Sequence, residues 1–253
     1  MWSQRPNRII DGVSKRQYEK EMQEAMNEKR VFTDKELEDM GTQTLNMILE
    51  AVDAGDKKKA KDLANRMYRE FNHLHDGYMT WVTALLTFIY HNYGIEVLEK
   101  AERGAHTIEA NFVFKSSGNP DFRARVEGLV GGLRGHLQPI SVAEDDEKVT
   151  ITMKPCGSGE RIIRMGGYEP DIGLAKVKEA HRITYGLKDF PIYCVHCPIM
   201  EMLEIEKSGD FGSVHIISDP IGKEHCQFAF YKDNRDIPEE SYTRIGKEKH
   251  YSK

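Results

Sequence analysis

A chain of 253 residues is long enough to bury a hydrophobic core without disulfide staples. Its formal charge of -5, with 39% apolar and 30% charged residues, describes a mildly acidic soluble protein without a basic patch, which argues against nucleic acid as a partner. Met1 to Asp11 lack the apolar core of a signal peptide, and the longest apolar stretch, Trp81 to Tyr90, is too short to span a bilayer, so no membrane partner and a cytoplasmic location are expected.

The chain opens on a charged arm over 1–32, with a weak helical pattern in Lys15 to Lys29, read as packing on the body or on a second subunit; its length suggests a homodimer. Thr33-Asp34-Lys35-Glu36 has capping-box spacing and starts a helix with Leu37, Leu45, Ile48, Leu49 and Val52 on one stripe, ending at Gly55. Asp56 caps the next helix, whose inward stripe includes Leu63, Met67, Phe71 and Leu74. The same period turns His75 inward and His73 outward. Gly77 marks a bend, and Tyr78 to Tyr93 is apolar nearly all round, as a helix buried on several sides would be.

After Gly94 a further helix carries Ile95, Leu98, Ala101, Ala105, Ile108 and Phe112 inward, with Glu99, Glu102, Arg103 and His106 facing solvent. The loop Ser116 to Pro120 leads to another, with Phe122, Val126, Leu129, Val130 and Leu133 on one face and a Gly-rich end at His136. There the period shifts to two. Ile140 and Val142, then Val149, Ile151 and Met153, alternate with polar residues around an Asp145-Asp146 turn and form a hairpin. An extended piece at Arg161 to Met165 and a helix over 172–185 follow. A second hairpin pairs Ser213 to Ser218 with His225 to Tyr231, and the tail after Asp233 lies on the surface.

The expected fold is α+β, a helical N-terminal half packed on an antiparallel sheet made of two β-hairpins. Its regions are the arm (1–32), a helical region (33–136), a cysteine-containing α+β region (137–235) and a charged tail (236–253).

The chemistry concentrates on Tyr193-Cys194-Val195-His196-Cys197-Pro198, two thiols three residues apart where an extended run gives way to a helix. Cys156 and Cys226 stand at strand rims on either side, so one fold could assemble all four. In a reducing compartment such thiols are free, metal-bound or redox-active. Cys156, Cys194, Cys197 and Cys226 match the ligand number of a structural zinc site, with an iron-sulfur cluster or no cofactor as alternatives; His196, His225 or His136 could replace a thiolate. A CxxC at a helix start is also a thiol redox motif, although the βαβ context of that motif is missing. Buried thiols and a turn are the plain alternative. The Cys156-Gly157-Ser158-Gly159 turn has no following helix to make it a phosphate loop.

A second cluster is His75 with Asp76, Tyr78 and Trp81. An inward histidine is ordinarily a hydrogen-bonded core residue; the alternative is a site with His75 and His136 catalytic and Asp76, Tyr78 and Trp81 binding a small molecule.

The closing turn Pro220-Ile221-Gly222-Lys223-Glu224 and strand His225-Cys226-Gln227-Phe228-Ala229-Phe230 resemble the Gly-x-x-x-Cys-x-Phe-x-Phe element of the L-2-amino-thiazoline-4-carboxylic acid hydrolase-like family and related vinyl-reductase-type small-molecule-binding domains. The resemblance covers residues 137–231. It implies an α+β domain whose antiparallel sheet binds a small molecule, in some members with cysteine-bound zinc. The expected function is a small-molecule hydrolase or lyase with a Cys-ligated zinc centre and a pocket between helices and sheet; the alternatives are a non-catalytic sensor or adaptor with structural zinc, or a CxxC redox protein.

Overall fold

The computed structural model describes residues 16–17, 20, 30–112, 121–136 and 138–250, and they form two compact units, 1–69 and 70–253. Most of the helical pattern expected over Lys15 to Lys29, and the loop Ser116 to Pro120, lie outside the described residues.

In the first unit the capping box forms: Thr33 Oγ1 accepts from Glu36 N at 3.2 Å and Glu36 Oε2 accepts from Thr33 N at 2.8 Å. One helix was expected as far as Gly55, and two are present, α1 (Asp34–Gly41) and α2 (Thr44–Asp53). Gly41 is a weak helix former, and the Thr42 hydroxyl donates to the Glu38 carbonyl at 2.8 Å, closing the first helix.

Helix α3 (Lys57–Tyr93) runs without a break through the bend expected at Gly77. A mid-helix glycine costs only about 1 kcal/mol, too little to interrupt a long hydrogen-bonded ladder. The helix stops at Gly94, whose φ of 82° is the left-handed conformation that glycine adopts freely. Helix α4 (Ile95–Phe112) is turned from the expected orientation. Leu98 is buried as expected, but so are Glu99 and Glu102, whereas Ile108 is exposed. Ion pairs account for the turn: Glu99 Oε1 lies 2.8 Å from both Arg103 and Arg182, and Arg103 also reaches Glu206 at 3.0 Å. His106, expected in solvent, stands between Glu102 and Glu109 at 3.2 and 3.1 Å.

Helix α5 (Phe122–Gly135) starts where the Asp121 carboxylate accepts from Ala124 N at 2.8 Å. The fold is α+β, with an antiparallel sheet in the order β1 (Ile140–Glu144), β2 (Lys148–Met153), β6 (Gln227–Tyr231), β5 (Val214–Ile216). Both expected hairpins are present, joined by β2–β6 pairing in which Ile151 stands opposite Phe228. Val149, Ile151 and Phe230 form one face, against which α5 lays Val126, Leu129, Val130 and Leu133. The alternate face carries Ala229 and Val214, which pack with Ile199, Met202 and Ile205 of α7 (His196–Ser208).

Three local expectations are corrected. Arg161 to Met165 is not extended: α6 (Gly159–Arg164) forms there, tied by Glu160 and Arg164 at 2.9 Å, so a helix does follow the Cys156 turn. The helix expected over 172–185 is replaced by β3 (Lys176–Val177), paired with β4 (Phe190–Pro191), and a 3-10 turn at Arg182–Thr184. The alternation of buried Ala175 and Val177 outweighs the helical pattern. The tail is not a surface segment: Ile237, Tyr242 and Ile245 are fully buried around α8 (Glu239–Thr243). Among the described residues no helix is long and apolar enough to cross a membrane.

Burial of the C-terminal segment is testable. Ile245→Ala should cost about 3 kcal/mol in urea denaturation, the penalty of a core cavity; an unchanged midpoint would return the segment to the surface.

Candidate functional site

Three separate segments carry the four cysteines to one place. Pro191 ends β4 and a 3-10 turn, Ile192–Val195, leads directly into α7, which puts Cys194 on the turn and Cys197 in the first helical turn beside Pro198. Cys156 sits in the turn before α6, where its N–H donates to Glu160 Oε2 at 3.0 Å and the neighbouring Gly157 N–H donates to Gln138 Oε1. Cys226 leads into β6, its carbonyl accepting from Met153 N at 3.1 Å.

All four thiols are free and line a single internal cavity of about 20 Å³, together with Glu160, His196 and His215. Space on that scale holds one atom-sized guest. The cavity is tightly shaped: a Cβ added at Gly159 would stand 2.5 Å from Cys194 Sγ, so only glycine leaves room for the sulfur. As the side chains stand, no group of three or more His, Cys, Asp or Glu among the described residues is arranged to hold a metal ion.

Burial, reinforced by the neighbouring sulfurs, pushes the Cys194 and Cys197 thiols well above the ordinary range, and Cys226 up to about 12. These three are neutral at pH 7. His196 Nδ1 donates to the Tyr193 carbonyl at 2.6 Å, which leaves Nε2 as an acceptor 3.4 Å from Cys197 Sγ. Burial pushes His215 down to about 3; its ring stacks on Phe228 with centroids 4.5 Å apart, and its Nε2 is buried without a hydrogen-bond partner.

Behind His215 lies a buried polar layer absent from the sequence reading. Glu201 Oε1 accepts from His215 N at 2.5 Å, Arg244 donates to the His215 carbonyl at 2.6 Å, and its guanidinium covers the Tyr185 ring at 4.1 Å. Burial raises Glu201 to about 7. One signal was available: Glu201 lies four residues after Cys197, on the same face of the helix.

His75 and His136 do come together. His75 Nε2 is 3.3 Å from His136 Nδ1, which is also 3.2 Å from Ser158 Oγ. They line an open apolar groove of about 270 Å³ with Phe71, Leu74, Tyr78, Met79, Val82 and Tyr193. Burial, then the neighbouring His75 and His196, lower the His136 pKa, so its imidazole is neutral at pH 7. Of the residues expected to bind a ligand only Tyr78 lines the groove. Asp76 is held by Arg161 in a two-pronged ion pair at 2.5 and 2.8 Å, and Trp81 is 60% exposed outside it. Tyr193 links the two sites: its side chain lines the groove while its carbonyl holds His196 at the cavity.

Gly159→Ala should lower stability by about 1–3 kcal/mol through overpacking against Cys194; an unchanged thermal midpoint would mean that the sulfur has room to move. Glu201 gives a pH signature. Its folded pKa lies above the usual carboxylate value, so the stability it contributes is full below about pH 4.5 and is lost as pH rises through about 7. Glu201→Gln should remove that decline, and parallel stability profiles of the two chains from pH 5 to 8 would refute the shift. Comparison with protein families, with curated proteins and with solved structures finds no match for this chain.

Proposed function

We propose that the cysteine-lined cavity binds a single zinc ion and that the adjoining groove takes a small, largely apolar organic substrate, the chain acting as a hydrolase or lyase. The observation that carries this reading is the convergence of Cys156, Cys194, Cys197 and Cys226 on one ion-sized cavity. Soft thiol donors suit zinc, the orphaned Nε2 of His215 offers a further nitrogen, and Gly159 keeps the space beside Cys194 clear. Closing on the ion requires rotation of the thiol side chains, and a dication supplies the charge that lets them ionise. An iron-sulfur cluster would require the cavity to open further than a single ion does. Thiol redox chemistry is disfavoured because Cys194 and Cys197 are held as neutral thiols.

Zinc with one exchangeable position would supply Lewis acidity next to the groove. The chain's own residues supply the rest. Phe71, Leu74 and Met79 exclude water from the apolar part of the substrate, and neutral His136 accepts a proton that His75, 3.3 Å away, can share. Arg161 fixes Asp76 beside His75. Because all four thiols line the cavity, a closed four-thiolate site is the second reading; the metal is then structural, and the groove alone binds a ligand, with or without turnover.

Cys194→Ser should reduce bound zinc and lower stability together, since the energy of a structural metal is folding energy. Unchanged metal content in that variant would overturn the assignment.

A further inference from the structure

We propose that the outward face of α3 is the seam along which a second copy of this chain docks. From Gly77 to Tyr93 the helix carries no Asp, Glu, Lys or Arg. One face is used within the chain, where Met79, Thr83 and Leu86 are buried. Among the described residues the other is left open: Leu74, Tyr78, Trp81, Leu85 and Phe88 are each between 49% and 60% exposed.

These five residues follow one another at alternating intervals of four and three, the spacing of a coiled-coil seam, which points to another helix as the occupant rather than to a loop or a flat surface. The flanking positions fit the same reading, because Gly77 and Ala84 on one side are small enough for close approach and Val82 on the other is apolar and 42% exposed. A seam that presents the same apolar row to itself is self-complementary, as a two-fold interface requires, and carries no charge to select a different partner. Side chains of this size, about half exposed, would bury on the order of 600 Å² per copy, most of the about 800 Å² per partner found in stable interfaces.

Leu74, Tyr78 and Val82 also line the His75–His136 groove. The second copy's helix therefore runs along the groove's open side and walls it. The dimer stands independently of the metal reading, since mass in solution is read without reference to zinc.

Sedimentation equilibrium of the full chain should give twice the mass of one copy at micromolar concentration. Leu85→Glu should give a single copy with unchanged far-UV circular dichroism, and Thr80→Glu, an exposed change off the seam, should stay dimeric. In a Trp2→Phe chain, where Trp81 is the sole tryptophan, emission should shift to the red on dilution, which tests the seam even if Leu85→Glu fails to fold. A wild-type chain that remains a single copy at tens of micromolar, a Leu85→Glu chain that still dimerises, or Trp81 emission that ignores dilution would each overturn the proposal.

Discussion

Thiols that share a dry cavity cannot all ionise, because each thiolate loses its hydration and repels the next. That constraint governs the centre of this protein. Cys194, Cys197 and Cys226 are held neutral by burial and by their neighbours, and the cavity they form with Cys156 has room for about one water-sized guest. A dication reverses the balance, turning the mutual repulsion of thiolates into shared attraction. Much of the surrounding chain is arranged to bring three segments to this point: the turn held by Gln138 and Glu160, the 3-10 turn running into α7, and the strand paired with β2.

The polar layer of Glu201, Arg244, Tyr185 and His215 extends the same constraint outward. These groups are costly to bury singly, and their mutual contacts offset part of that cost, Arg244 serving both the His215 carbonyl and the Tyr185 ring, while Glu201 Oε2, His215 Nε2 and Arg244 Nε are left without a hydrogen-bond partner. Through Arg244 the C-terminal segment is tied to the strand that carries His215. Across the cavity, Tyr193 and His196 lie between it and the groove.

Much of this was legible in the sequence where a single rule decided the outcome. Alternation in Val149, Ile151 and Met153 fixed β2, a capping box fixed the start of α1, and strand rims flanking the CxxC anticipated the gathering of the four cysteines. Reading failed where long-range pairing overrode a local pattern. Glu99 and Glu102 look like solvent residues until Arg103, Arg182 and His106 are seen to meet them. Ile237, Tyr242 and Ile245 are too sparse among charges to signal a core. His215 and Arg244 gave no signal because their partners lie far away in sequence, and Trp81 misled because an aromatic on an apolar helix reads as inward whichever face it occupies.

The most direct measurement is elemental analysis of the chain, purified without chelators or metal-affinity resin, paired with a count of reactive thiols. The cavity predicts about one zinc per chain and thiols protected until a chelator is added. A metal-free chain that refuses added zinc, with its four thiols equally reactive with and without chelator, would contradict the metal centre and leave the cysteines as packing.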